Sequence, residues 1–228
     1  NMEGVENAQD NPIEFTVENN TITLHDPQNK TGYTFDGWYT DASFEHRVTG
    51  AMTLNSLNDW IFYAKWNANP YTITFDSCLG KEVPVETLLM TYDQSANMTL
   101  LSELKGFNKP GYTFGGWATT EGGAAVYKDG ENVKNLAAEG NVTLYAVWNV
   151  NVYNISYNLG SGGISHANPA SYTIEDGDVK LSAPQAKAGY QFLGWYDGDT
   201  LVSEIVRGTQ QNYSLTAKWA HAGVFNLS

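Results

Sequence analysis

The sequence predicts a β-rich α+β chain assembled from about three tandem modules, and two observations carry that prediction. One segment occurs three times, as GYTFDGWY at 32–39, GYTFGGWA at 111–118 and GYQFLGWY at 189–196, its first glycines spaced by 79 and 78 residues. A second segment follows each copy in the same order: FYAKW at 62–66, LYAVW at 144–148 and LTAKW at 215–219. Self-similarity at a fixed period marks a repeat architecture in which each copy is one small folding unit. The length of 228 residues also exceeds that of an ordinary single domain.

Taken in order, residues 1–12 read as an acidic tail and 13–67 as a first repeat that lacks its opening strand. Residues 68–149 form the second repeat, 150–220 the third, and 221–228 a C-terminal extension. The second and third repeats open with YTITFDSCLG from Tyr71 and YNISYNLGSG from Tyr153. Tyr71, Ile73 and Phe75 alternate with Thr72 and Thr74, the period of a half-buried strand. FTVENNTITL at 15–24 matches YTIEDGDVKL at 172–181, and TYDQSANMTL at 91–100 is a looser copy. Glu18-Asn19-Asn20 and Glu175-Asp176-Gly177-Asp178 read as hairpin turns.

In the Gly-Tyr segment, straight alternation puts Tyr33 and Phe35 on one face and Trp38 on the other. Gly37 marks a bulge or a close backbone approach, because glycine otherwise only weakens a strand. The final segments alternate too, with Phe62/Ala64/Trp66, Leu144/Ala146/Trp148 and Leu215/Ala217/Trp219 as the buried faces. Residues 99–105 and 130–138 are the best helical candidates, so each module is expected to hold four or five strands and one helix or helical turn. The connectors Asn67-Ala68-Asn69-Pro70 and Asn149-Val150-Asn151-Val152 are short, which restricts relative motion of the modules. GVFNL at 223–227 sits where the Tyr71 strand sits after Trp66. Either the folding unit is permuted, or the stretch was cut at its ends. An exposed edge on the first module is expected in the latter case, with the acidic tail as its cover.

The charge balance of 25 acidic against 12 basic residues, net −13, repels phosphate backbones and acidic membranes. Nucleic acid is therefore not an expected partner, and no apolar stretch is long enough to span a bilayer as a helix. Cys78 is the only cysteine, which excludes an intrachain disulfide and a CxxC metal knuckle. His25, His46, His166 and His221 fall at non-equivalent places in the repeats and carry no metal-ligand spacing. Gly160-Ser161-Gly162-Gly163 lacks the lysine of a phosphate-cradling loop and reads as a hairpin turn. Asp197-Gly198-Asp199 lacks the remaining ligands of a calcium loop. Nothing marks two carboxylates out as a catalytic pair. No catalytic residue, metal site or cofactor is expected, and no enzyme.

Six of the seven tryptophans fall at fixed repeat positions. Together with their neighbours they give an expected repeat core of Tyr33, Phe35, Trp38, Trp66, Tyr112, Phe114, Trp117, Trp148, Tyr190, Phe192, Trp195 and Trp219. Trp60 has no counterpart, Val142 and Tyr213 standing in its place, so it is the one candidate for ligand contact. The sequons at Asn141 and Asn212 precede final strands, as Asp59 does, and a turn residue explains all three.

GYTFDGWY followed by YAKW, with the opening strand YTITFD, resembles the Listeria–Bacteroides repeat, also called the internalin B-repeat. The resemblance covers residues 13–219 and recurs three times. It implies tandem β-grasp, SUMO-like modules in an elongated array, carried by an extracellular bacterial cell-surface protein whose anchor lies in other parts. It implies a spacer or stalk that presents another domain, and no catalysis. The alternative is cell adhesion, with a host surface protein or glycan bound through exposed aromatics. The expected state is a monomer with adjoining domains outside this stretch and no direct membrane insertion. The first copy departs from the pattern in its missing opening strand, and the third in ending LTAKW.

Overall fold

The structure is a computed structural model that describes residues 4–55, 58–83 and 85–221. It divides into two compact units, residues 1–107 with 116–146, and residues 108–115 with 147–228. The segment 223–227, read above as an extra strand, lies outside the described residues.

Strand content dominates. The first repeat pairs β1 (Tyr33–Tyr39) antiparallel with β2 (Tyr63–Ala68). The second contributes β3 (Pro70–Asp76), β4 (Glu86–Thr91), β5 (Tyr112–Ala118) and β6 (Gly140–Val150), in the sheet order β4-β3-β6-β5. The third contributes β7 (Tyr153–Asn158), β8 (Ser171–Tyr172), β9 (Tyr190–Asp197), β10 (Thr200–Val202) and β11 (Tyr213–His221), ordered β8-β7-β11-β9-β10.

The two larger sheets share one plan. The final strand of the repeat is central, with the opening strand parallel to it on one side and the Gly-Tyr strand on the other. A strand with neighbours on both edges buries an apolar face and reads as alternating apolar residues. Tyr71, Ile73, Phe75, Leu144 and Leu215 are accordingly buried. Each such side chain contributes about 1.5–3 kcal/mol by leaving water.

A small two-stranded ribbon accompanies each repeat: Thr21–Ile22 with Met52–Thr53, Ala96–Asn97 with Asn132–Val133, and Val179–Lys180 with Glu204–Ile205. These ribbons correct the hairpin readings. The turn at 174–175 follows β8, whose partner is β7, and leads into a strand that pairs with Glu204–Ile205 instead. The residues near Glu18 likewise lead into Thr21–Ile22, whose partner is Met52–Thr53. The Gly160 turn joins β7 to Gly163–Ser165, which pairs with Gln185–Ala186. Asp197-Gly198-Asp199 does close a hairpin, between β9 and β10.

The helical expectation is also corrected. Among the described residues the helix is a three-residue 3-10 turn at Leu101–Glu103, inside the 99–105 candidate. The 130–138 candidate instead supplies Asn132–Val133 to a ribbon. Gly130 and Asn135 there adopt φ of +62° and +56°, which a right-handed helix does not tolerate.

Gly37 does make a bulge, and the bulge moves Trp38. Register shifts between Phe35, opposite Trp66, and Gly37, opposite Lys65, so that Trp38 faces Ala64. Trp38 therefore rejoins the Phe35 face, its ring 5.6 Å from Phe35, instead of pointing away. Gly194 repeats the shift opposite Lys218, with Phe192 and Trp195 5.7 Å apart. Gly37, Gly116 and Gly194 take φ of +146°, +122° and +145°, a region that favours glycine.

Candidate functional site

The twelve aromatics of the expected core divide by depth. Trp38, Trp117 and Trp195 are buried, whereas Tyr33, Phe35, Trp66, Tyr112, Phe114, Trp148, Tyr190, Phe192 and Trp219 are half-buried. The half-buried tryptophans pack on the phenylalanine of the opposing strand, at 5.1 Å for Trp66–Phe35, 5.7 Å for Trp148–Phe114 and 5.3 Å for Trp219–Phe192. Gly160-Ser161-Gly162-Gly163 folds over Trp219, where a Cβ on Gly162 would lie 2.7 Å from the ring. The Trp219 indole donates to the Leu159 carbonyl at 2.8 Å.

A second feature fixes the buried tryptophans of the first and third repeats. The His25 carbonyl accepts from both the Trp38 indole and the Asn11 side chain, each at 2.9 Å. The Ser182 carbonyl accepts from Trp195 and Asn168 in the same way, also at 2.9 Å. In both places the asparagine oxygen takes the backbone N–H of the same residue. Asn11, placed by the sequence in the acidic tail, is thus a buried part of the first repeat. The signal that sequence reading missed is the Asn-Pro dipeptide shared by 11–12 and 168–169.

The Gly-Tyr-Thr tripeptides form joints. In the first unit the Asn69 N–H donates to the Gly32 carbonyl at 2.8 Å, and the Thr34 hydroxyl donates to the Asn69 side chain at 2.6 Å. The Tyr33 hydroxyl donates to Asp93 at 2.5 Å. Lys30 lies 4.3 Å above the Tyr33 ring. The second unit repeats each contact: Asn151 to Gly111 at 2.9 Å, Thr113 to Asn151 at 2.5 Å, Tyr112 to Glu175, and Lys109 at 3.7 Å above Tyr112. The asparagines that read as polar connector residues are therefore held by backbone and side chain together.

The Tyr33 hydroxyl, with Asn135 and Lys134 beside it, holds the Asp93 carboxyl below the usual carboxylate range. A depressed folded-state value stabilises above the unfolded pKa near 4, and that stabilisation fades as pH falls further through the folded value. Asp93→Asn is therefore expected to narrow the loss of melting temperature between pH 5 and pH 2 relative to the unsubstituted chain. Parallel melting curves for the two proteins would refute a contribution from this carboxylate. The Tyr112 hydroxyl is pushed up by its bond to Glu175.

Trp60 lies elsewhere, at the edge of the first repeat. It is 37% exposed and stacks on Phe62 with ring centroids 6.2 Å apart. The two rings line a cavity of ≈ 380 Å³ together with Ile13, Phe15, Leu54 and Asp59. Ile13 and Ile61 are 95% and 61% exposed beside it. An aromatic pair with neighbouring apolar groups can hold a flat or extended apolar ligand, and the acidic residue disfavours an anion.

The histidines are scattered through the structure. His46 bonds Asp41, while His166 and His221 lie against Tyr157 and Tyr190. Among the described residues no group of three or more His, Cys, Asp or Glu could hold a metal ion. Cys78 is exposed on a turn. Among those residues no helix is long and apolar enough to cross a membrane.

The repeats and joints define a class of modular repeat proteins, and comparison with known families identifies which one. The Listeria-Bacteroides repeat domain matches at residues 3–65, 71–147 and 153–218, and the chain belongs to that family. The chain is 32% identical over 203 residues, 83% of its length, to a "Putative Gly-rich membrane protein" of Evansella cellulosilytica, covering 22% of that protein. It is 34% identical over 122 residues, 54% of its length, to Internalin H of Listeria monocytogenes, covering 20% of that protein. The chain thus spans about a fifth of the length of the curated relatives it matches.

Proposed function

We propose that this chain is a non-enzymatic repeat segment of a bacterial cell-surface protein, serving as a spacer that presents another domain. The observation that carries this reading is the repeated joint, in which Gly-Tyr-Thr of one repeat grips the asparagine and acidic residue at the start of the next. A spacer needs defined connections between modules and no reaction centre. The family, and the similarity to parts of far longer membrane and internalin proteins, support the surface setting. Each module is read as a helix-poor β-grasp, from the parallel opening and final strands at the centre of its sheet. The modules are read as forming an elongated array. Small-angle scattering tests this: the expected result is an extended particle whose longest dimension grows with each added repeat. A compact globule would overturn the reading.

A second reading, adhesion to a host protein or glycan, is favoured by Trp60 and its open cavity. Binding of the chain to a glycan and extracellular-matrix array, lost in Trp60→Ala, is the result expected of an adhesin. Silence across the array would remove this reading and leave the spacer.

A further inference from the structure

We infer that the first repeat is a strand acceptor: its cavity and the adjoining strip at 58–63 receive an extended polypeptide of the repeat-opening type, aromatic-x-Ile-x-aromatic, added parallel to β2. The argument uses the other two repeats as internal templates. In the second repeat β3 pairs parallel with the first half of β6, from Tyr71 opposite Gly140 to Asp76 opposite Tyr145. In the third, β7 pairs parallel with β11, from Ile155 opposite Tyr213 to Asn158 opposite Thr216. Aligned on the final tryptophan, the receiving positions 140–145 correspond to 58–63 in the first repeat. There β2 begins only at Tyr63, and among the described residues its strand partner is β1 alone. Extended backbone without a neighbouring ladder is an open sheet edge, the surface that strand addition uses.

The cavity lies where the donated side chains belong. Its lining residues Phe15, Ile22, Trp60 and Phe62 occupy the repeat positions of Tyr172, Val179, Tyr213 and Leu215. In the third repeat those four residues close around Ile155 and Tyr153 of the opening strand in a single apolar cluster. In the second repeat the corresponding strand sends Ile73 and Phe75 fully inside, Phe75 against Trp117 at 4.9 Å. The third repeat sets Tyr157 at 5.0 Å from Trp195. Asn11, Phe15, Ile22, His25 and Trp38 all match third-repeat residues 157 positions later, and at that offset 153–157 have no counterpart among the 228 residues. The lining is thus built for a strand that these residues do not supply. The terminal segment at 223–227 is the wrong donor, since in its register after Trp219 Asn226 takes the position of Ile73.

The position of Trp60 follows. It is the bulkiest residue at a site that is Val142 or Tyr213 in the filled repeats, and it covers part of the apolar surface left open. The reading does not depend on the spacer role, because the edge exists whether or not the repeats present a further domain.

The test uses the purified 228-residue chain and a peptide of sequence PYTITF, copied from residues 70–75 and blocked at both ends. Saturable one-to-one binding is expected, with backbone amides of 59–63 gaining protection from hydrogen exchange. A peptide in which the Ile and Phe are both Thr is expected to bind at least about tenfold more weakly, having lost two buried side chains. Ile61→Pro removes an edge N–H and is expected to abolish the protection while circular dichroism stays unchanged. If that variant unfolds, the paired peptides on the unsubstituted chain still decide the matter. Equal binding of both peptides, or protection mapped away from 59–63, would overturn the proposal. Amides of 59–63 already protected in a dimer of the chain alone would overturn it too, by assigning the edge to a second copy.

Discussion

Trp195→Ala is expected to destabilise the third repeat by about 3–5 kcal/mol, the range for truncating a large aromatic in a packed core. Trp195 is 1% exposed, touches Phe192, Tyr157 and His166, and its indole donates to the Ser182 carbonyl. Removing it opens a cavity and takes away one of two donors on a carbonyl that Asn168 alone would then hold. A module of this size has stability on the order of 5 kcal/mol, so most of it would be gone. Urea unfolding followed by hydrogen exchange is the measurement, with amides of β9 and β11 expected to lose protection first. Trp219→Ala is the comparison. Trp219 is half-buried, so a smaller loss is expected. Equal losses would mean that burial depth does not separate the two tryptophans.

Gly32→Ala is expected to loosen the joint between the first and second repeats at a cost of about 1–3 kcal/mol, the usual range for a strained backbone position. Gly32 sits at φ +78°, and a Cβ there would lie 2.3 Å from the Tyr92 ring. That ring meets Tyr33 edge-on at 5.7 Å, so moving it disturbs the side chain that holds Asp93. Gly50→Ala supplies the control, because Gly50 has φ +71° with nothing within 4 Å of a Cβ. The difference between the two variants isolates the Tyr92 contact from backbone strain. If both cost the same in thermal melts, the close approach of Gly32 to Tyr92 contributes nothing to stability.

Much of the fold was legible because its signals are local. Period-two alternation marks β3, β6 and β11, and the fixed spacing of Gly-Tyr and Trp motifs marks the repeats. Pairing is not local, and there the reading failed. Turn residues near Glu175 show where the chain bends, but not that the next strand joins Glu204–Ile205. Gly37 announced a bulge, yet alternation counted straight through it put Trp38 on the wrong face. The 130–138 segment has helix-compatible residues, but a helix that short depends on packing, and its positive-φ positions serve a turn. Trp60 stood out by lacking a counterpart. The cavity beside it could not be seen, since it exists through the closure of Phe15, Leu54 and Phe62 from three distant stretches. The joints were hidden for a chemical reason: asparagine in a short connector looks like solvent-facing filler until its partners are known.

The joint also bears on how such a chain changes length over generations. Its two halves are carried at opposite ends of one repeat, Gly-Tyr-Thr toward the end and the receiving asparagine and acidic residue at the start. A heterologous head-to-tail contact of this kind does not close on itself and accepts another identical unit. Unequal recombination that inserts or deletes a whole repeat therefore delivers both halves of a working connection in one event. The copy number can drift while every junction keeps its chemistry, and selection then acts on reach alone.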